Sequence, residues 1–294
     1  MLDAKTRYKL IPYAFLGIPV TIYLIWIIGP MLYSFYLSFT KWDGLTSPEF
    51  IGAKNYRMLF QDEVFYISLS NNLEWIILFM TVPIVLGLTL AMVLNKDIPG
   101  AKTFKASFFL PMVLSLVVCG LVWSWLYSPH SGLINEVLRR IGLGKLATGW
   151  LSNPKVVMES VIAVAIWRQV GYVMVLYLAG LQSVDQNLLD ASEVDGANAV
   201  QRFFNVIMPQ LAPVTVIVIV ISIIDSLRAF DLVSVMTRGG PYNQSSVLAN
   251  FMYIEAFNNY RMGYGAAIAV IIFIISLMFI MFYLTRIARE ETNA

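Results

Sequence analysis

Charged side chains interrupt two of the longest apolar stretches of this sequence. Arg168 lies in one of them, and Asp225 lies in another, where Arg228 and Asp231 follow at intervals of three residues. On a helix, residues three apart drift by about 60° per step, so Asp225, Arg228 and Asp231 are predicted to form one polar stripe. Such groups can pair with each other, Asp225 with Arg228 for example, or hydrogen-bond a polar ligand, and both roles stay open. The candidates for these roles are Trp167, Arg168, Gln169, Asp225, Arg228 and Asp231.

The residues needed for metal or nucleotide chemistry are missing. One cysteine, Cys119, and one histidine, His130, are too few for a Cys/His metal site. A phosphate-binding loop needs G-x-x-x-x-G-K-[ST], and the only Gly-Lys pair, Gly144-Lys145, is followed by leucine. We therefore expect no metal and no cofactor on this chain, and no ATP hydrolysis by this route.

Composition favours a membrane protein. Of the 294 residues, 59% are hydrophobic and 13% are charged, whereas soluble domains carry about 25% charged residues. A soluble chain this apolar would expose patches larger than monomers tolerate. The net charge of +2 is too small to indicate a nucleic-acid partner. We therefore expect a lipid bilayer around the chain, and no nucleic acid.

Six apolar segments are each long enough, at about 20 residues, to cross a bilayer as a helix. They predict an all-α polytopic membrane protein with a single domain over residues 1–294. The predicted spans are 11–38, 73–94, 106–127, 157–181, 211–234 and 265–285. Their even number places both chain ends on one side of the membrane.

The intramembrane charges are predicted to lie deep. Arg168 is eleven residues into the fourth span, and Asp225 is fourteen residues into the fifth. At 1.5 Å per residue both are about 15–20 Å deep, close to the midplane. An isolated charge there costs at least about 2.5–3.5 kcal/mol, so we expect a partner charge or a polar cavity. Asn71 and Asn72 offer further amides near one mouth of the spans.

Lysine and arginine residues are denser on one side of the predicted spans. The chain ends and the loops on their side carry nine, and the opposite loops also carry nine. The first nine occupy shorter segments, with Lys96, Lys102 and Lys105 in one short turn, and short basic loops stay cytoplasmic. We therefore predict that the N- and C-termini are cytoplasmic.

The polar loop 183–209 joins the fourth and fifth spans on the predicted cytoplasmic side. Asp185 or Ser183 can cap a helix start, and residues 188–194 fit about two helical turns. Gly196 can end those turns. The loop is therefore predicted to be a short helix–turn–helix.

The composition of this loop also suits a docking surface. Small side chains let another backbone approach closely at Ala191, Ser192, Gly196 and Ala197. Apolar anchors for a groove are available at Leu188, Leu189, Val194 and Phe203. Four acids (Asp185, Asp190, Glu193, Asp195) face Arg202 alone, which favours a basic partner. The alternative is a connector whose acidic groups only stay in water.

The loop resembles the "EAA" motif of binding-protein-dependent ABC-type importers, whose pattern is E-A-A, three residues, G, nine residues and I-x-L-P. Gly196 and Pro209 fall at the matching spacing, Asp190-Ala191-Ser192 replaces E-A-A, and Val206 and Met208 replace isoleucine and leucine. By this resemblance the residues that couple to an ATPase are Asp190, Ala191, Ser192, Asp195, Gly196, Ala197, Phe203 and Pro209. The shorter carboxylate of Asp190 would weaken or shift that contact.

Further fragments resemble the carbohydrate-uptake branch of these importers, the maltose-type inner-membrane subunits. They run over residues 10–285 and comprise Phe109-Leu-Pro111 to Trp123, Gly132-Leu-Ile-Asn135, Trp167, Phe230-Asp231 and Thr237-Arg-Gly-Gly-Pro241. The resemblance implies half of a translocation path for a sugar or polyol in a bacterial or archaeal inner membrane. It also implies a second similar permease subunit, an extracytoplasmic solute-binding protein, and two ATPase subunits that hold the ATP and Mg.

Three other functions are weighed against this one. A glycerol-phosphate-type ester would suit Arg168 and Arg228 and belongs to the same family. An ion-coupled secondary transporter would use Arg168 and Asp225 for its ion and would need no ATPase. A membrane enzyme is disfavoured because the sequence shows no clustered catalytic set.

Overall fold

The computed structural model describes residues 15–96 and 98–292. The start of the predicted span 11–38, and the chain ends on which the cytoplasmic prediction depends, lie outside that range. Within it, helices dominate, and the strands are two short ones, β1 (Thr40–Lys41) and β2 (Glu49–Phe50). The predicted all-α class is confirmed.

Four helices are long and apolar enough to cross a membrane without a break, and two bent pairs make up to six spans. The unbroken ones are α1 (Phe15–Leu37), α3 (Glu63–Leu94), α7 (Val157–Gln182) and the part Met262–Met281 of α13 (Met262–Thr292). The bent pairs are α4 (Ala101–Val113) with α5 (Leu116–Leu126), at 102°, and α9 (Ala199–Gln210) with α10 (Ala212–Leu227), at 67°. The shorter helices are α2 (Lys54–Leu59), α6 (Leu133–Arg140), α8 (Gln186–Val194), α11 (Asp231–Met236) and α12 (Leu248–Tyr253).

The break between α4 and α5 falls inside the predicted span 106–127. Leu114 and Ser115 are extended, with ψ of 143° and 147°. The Ser115 side chain accepts a hydrogen bond from the Val118 amide, 3.3 Å away, so it caps the start of α5 in the ordinary way for serine. A sequence that reads as one apolar helix is therefore two half-helices.

The described part of the chain divides into two compact units, of which unit 1 comprises residues 15–62 and 252–274. In it, β1 and β2 pair antiparallel, with Thr40 opposite Phe50. The Asn55 amide donates to the carbonyl oxygens of Ser38 and Thr40, at 2.9 and 2.8 Å, and the Tyr264 hydroxyl lies 2.9 Å from an Asp62 carboxylate oxygen. The Asn55 bonds hold α2 against the end of α1 and β1, and the Tyr264 bond ties α13 to Asp62.

Unit 2 comprises the described residues between 63 and 251 and between 275 and 292, and its centre is the packing of α3 against α7. A Cβ at Gly87 would lie 2.7 Å from Cγ1 of Val173, so a glycine is required for this approach. Tyr177 and Leu211 are fully buried beside it. Since lipid is as apolar as these side chains, close van der Waals packing stabilises such a helix pair in a membrane.

Two adjacent asparagines of α3 hold the end of α10 and the segment 244–248 in place by hydrogen bonds. The Asn71 amide donates to the carbonyl oxygens of Gln244 and Ser246, at 2.9 and 2.8 Å. Asn72 donates to the Ser226 carbonyl at 3.0 Å and accepts from the Leu248 amide at 2.8 Å. Both side chains are buried, so these amides serve the backbone, and Asn71 and Asn72 are not the free solute-facing groups that the sequence suggested.

Candidate solute path and coupling surface

A polar cavity of about 230 Å³ lies in unit 2 between α3, α5, α7 and α10. We call it the central cavity. Its polar groups are Arg168, Gln169, Asp225, Arg228 and Asp231, and its walls include Trp75, Phe79 and Leu116. Five of the six intramembrane candidates therefore meet around one space, although they come from segments about 60 residues apart in sequence.

Arg168 contacts backbone rather than a carboxylate. Its Nη2 donates to the Met112 carbonyl oxygen at 3.2 Å, and its Nε donates to the Leu114 carbonyl oxygen at 3.3 Å. Within the part of the chain that the structure describes, none of the ion pairs includes Arg168. Its charge is thus partly satisfied by the broken helix.

Asp225, Arg228 and Asp231 do not share one helix, so the predicted single stripe is wrong. α10 ends at Leu227, Arg228 is its C-cap, and Asp231 begins α11 after a break at Phe230, whose φ is −141°. The predicted Asp225–Arg228 ion pair is also absent among residues 15–96 and 98–292. The cause of both differences is the early end of α10, which the apolar run through position 234 conceals. All three charged side chains are exposed on this chain.

Gln169 is the buried polar group of the central cavity. It is only 2% exposed, and its Nε2 has no hydrogen-bond partner. An unpaired buried donor costs about 1–3 kcal/mol. A residue of this kind is suited to donate to a ligand that enters the cavity.

Trp167 does not join the central cavity. It is 40% exposed and packs edge-on against Trp123, with ring centroids 5.4 Å apart. It lines a separate apolar pocket together with Pro111 and Gly171. Adjacent residues on a helix point about 100° apart, so Trp167 cannot share the direction of Arg168.

The loop 183–209 folds as the predicted helix–turn–helix. Asp185 caps α8 by accepting from the Asn187 amide at 2.9 Å, and Gly196 has a φ of +76°. Asn198 then opens α9 with a reciprocal capping box to Gln201. The predicted cap and the glycine turn are confirmed, while the capping box, for which the pattern N-x-x-Q is the signal, was missed.

Four apolar side chains of this loop are exposed, namely Val194 (88%), Val200 (64%), Phe204 (60%) and Leu188 (51%). Ala191, Asp195 and Gly196 are exposed around them, and Ala197 and Ser192 are half-buried. Phe203, predicted as an anchor, packs inward on the α3–α7 cluster. Phe204 is therefore the available aromatic side chain of what we call the coupling surface, residues 186–209.

The acidic side chains of this surface are only partly paired. Arg202 forms an ion pair with Glu193, with Nη1 and Oε2 3.0 Å apart. Asp190 accepts a hydrogen bond from the side-chain Nε2 of Gln186 at 2.9 Å. The pair is solvent-exposed and contributes little stability. Carboxylates therefore remain available to a basic partner.

Comparison with known proteins identifies the family. Residues 73–290, which include the central cavity and the coupling surface, match the model of the family described as binding-protein-dependent transport system inner membrane component. The chain belongs to this family. A relative in Pyrococcus horikoshii, a probable ABC transporter permease protein, is 38% identical over 277 residues, 93% of this chain and 95% of its own. The predicted resemblance is confirmed.

Other members of this permease family carry substrate names. The xylose/arabinose import permease protein of Haloferax volcanii is 35% identical and covers 89% of this chain and 83% of its own. The trehalose/maltose permease protein of Thermococcus litoralis is 29% identical over 96% of both chains. A bacterial ABC transporter for import of the acidic polysaccharide alginate has the same fold, with a TM-score of 0.84, 22% identity and 97% of both chains covered.

Proposed function

We propose that this chain is the permease subunit of an ATP-driven importer for a neutral sugar, such as a di- or oligosaccharide, or a polyol. The names of the relatives, which include xylose/arabinose, trehalose/maltose and multiple-sugar permeases, support the solute class. In this proposal a second similar permease completes the path, and an extracytoplasmic binding protein delivers the solute. Two ATPase subunits hold the ATP and Mg.

The central cavity carries the proposal. Asp225, Arg228 and Asp231 are exposed on this chain, at or just beyond the end of an apolar helix that is part of a candidate membrane span. Each charge would cost at least about 2.5–3.5 kcal/mol against lipid. This face therefore suits contact with a second permease or with a water-filled path. A solute path between two permeases requires polar groups on such a face.

The charge balance of the central cavity favours a neutral solute over a phosphate ester. Its lining contains two guanidinium groups, Arg168 and Arg228, and two carboxylates, Asp225 and Asp231. The guanidinium of Arg168 is already engaged by two carbonyl groups. The free Gln169 amide and the carboxylates match the donors and acceptors of hydroxyl groups.

The coupling surface is the proposed binding site for the ATPase, through which ATPase movement reaches the membrane helices. Val194 and Phe204 offer apolar anchors, and the acidic groups around them favour a basic groove. Because α9 continues into α10 through the 67° bend at Leu211, a shift of this surface would reach the helix that bears Asp225. In the proposed orientation, with both termini in the cytoplasm, this surface would face the ATPase subunits.

The test is reconstitution of the complex in lipid vesicles. We expect uptake of a labelled sugar that needs both ATP and the binding protein, with the sugar chosen by a thermal-shift screen of that protein. A phosphate ester as the ligand that stabilises the binding protein would refute the neutral-solute proposal. Uptake driven by an ion gradient, with no ATPase in the purified complex, would refute the importer itself.

A further inference from the structure

The bend between α4 and α5 leaves backbone carbonyl groups without helical donors inside a membrane span. The last four carbonyl groups of any helix lack intrahelical partners, and lipid supplies none. α4 ends at Val113, and the chain turns through 102° before α5 starts at Leu116. The carbonyl groups of Met112 and Leu114 lie at this end and need donors from another helix.

Arg168 of α7 supplies these donors, at 3.2 Å to Met112 and 3.3 Å to Leu114. The end of α4 carries the partial negative charge of the helix dipole, which a guanidinium complements. The N–H groups of arginine form a rigid planar fork. Two bonds from one fork therefore fix the end of α4 in position and in direction.

Gly171 provides a second contact between α4 and α7 on the face of Arg168. A Cβ at Gly171 would overlap the carbonyl oxygen of Phe108, so the two backbones touch there. Residues three apart share a helix face, which places Gly171 one turn from Arg168. Contact at Gly171 brings α4 close, and the bonds of Arg168 hold its end.

We propose that Arg168 is a positioning residue, whose bonds to the Met112 and Leu114 carbonyl groups hold the α4–α5 bend and so place Leu116 in the wall of the central cavity. The proposal rests on the proposed function, because the shape of this wall matters for a solute that passes it. Arg168 then acts through α5, and its loss reshapes the cavity from a distance. A direct solute contact would leave the bend unchanged when Arg168 is replaced.

Cys119 reports the position of α5. It is the single cysteine of the chain, lies three residues after Leu116, and is 1% exposed. In the assembled complex, R168M removes the donors at similar length, and we expect N-ethylmaleimide to modify Cys119 at least about tenfold faster than in the wild type, because fewer bonds resist local opening. The measurement is the rate of modification of the peptide that contains Cys119, by mass spectrometry.

R168K is the conservative variant. Lysine keeps the charge but offers one nitrogen, so we expect an increase of about threefold in the rate and partial rescue of uptake relative to R168M. D225N is the matched control, since Asp225 lines the same cavity while the side-chain bonds to Met112 and Leu114 come from Arg168, and it should leave the rate at the wild-type value. C119S identifies the modified peptide.

Wild-type modification rates in both R168M and R168K would overturn the proposal. If R168M does not assemble, the modification rate of Cys119 in R168K alone tests the proposal, and a wild-type rate there overturns it. Loss of uptake with an unchanged rate would show that Arg168 contacts solute directly, which also overturns it. Failure of the proposed function appears separately, as absence of sugar uptake by the wild type, and the labelling result does not depend on it.

Discussion

The coupling surface and the central cavity differ in how their residues come together. The coupling surface is one continuous segment, and each turn in it is set by a local residue such as Asp185 or Gly196. The central cavity collects Arg168, Gln169 and Asp225 from separate helices, and its shape depends on where α4 and α10 end. A local site can be recognised from a motif, whereas a site made of helix ends needs the three-dimensional structure.

The largest expected effect is loss of the charge at Asp225. Asp225→Ala should abolish uptake while the complex still assembles, because an exposed intramembrane carboxylate is retained for function and not for packing. Uptake in vesicles and size-exclusion chromatography measure the two properties. Glu136→Ala is the control, since Glu136 pairs with Arg140 on the exposed face of α6, and it should behave as wild type. Normal uptake in Asp225→Ala would remove Asp225 from the path.

A paired substitution at the coupling surface tests the two phenylalanines against each other. Phe204→Ala should weaken ATPase binding by about tenfold, as expected for an exposed aromatic anchor, without lowering thermal stability. Phe203→Ala should lower thermal stability instead, because Phe203 packs inward. Biolayer interferometry measures the affinity for the ATPase subunit, and a melting curve measures thermal stability, so the two effects can be separated. The assignment fails if Phe203→Ala has the larger effect on affinity.

Gln169→Met is expected to affect solute binding but not stability. The KM of uptake should rise by about three- to tenfold, since a hydrogen bond to the solute contributes about 0.5–1.5 kcal/mol. The melting temperature should not fall, because Nε2 has no partner to lose. The control is Ser160→Ala on the same helix, where the hydroxyl bonds the Val156 carbonyl. An unchanged KM would mean that Gln169 does not face solute.

The smallest effect is local and lies outside both regions. Hydrogen bonds from the backbone amides of Thr46 and Leu45 lower the pKa of Asp43 from 3.8 to about 2. A carboxyl group with a lowered pKa stabilises the fold fully above pH 4 and loses this contribution as the pH falls through about 2. We expect amide exchange at residues 45 and 46 to accelerate in that window relative to Asp43→Asn at the same pH. Equal pH dependence in both proteins would contradict this.

Much of the fold could be predicted from the sequence. Apolar length revealed the spans, and the cap at Asp185 and the turn at Gly196 follow from local backbone chemistry. The single-domain prediction, the termini and the roles of the coupling residues stay predictions.

The breaks in the spans could not be predicted in the same way. Leu114-Ser115 and Phe230 interrupt helices where the apolar run continues, because hydrophobicity is equally compatible with a straight and a bent helix. The partners of Asn71, Asn72 and Arg168 are backbone carbonyl and amide groups, which have no signature in a sequence. The sequence identifies the charged candidate residues, but it does not identify their hydrogen-bond partners.

The exposed charges of Asp225, Arg228 and Asp231 have a consequence for the life of this subunit in a cell. If the second permease proposed above covers these groups, a newly inserted copy without it would present them to lipid, at a cost that the completed complex would remove. We expect such unassembled copies to be degraded by membrane proteases, since a free-energy difference of about 1–2 kcal/mol is enough to change the abundance of a protein several-fold. The three charged residues of the proposed path would thereby keep the amount of this subunit matched to that of the proposed partner.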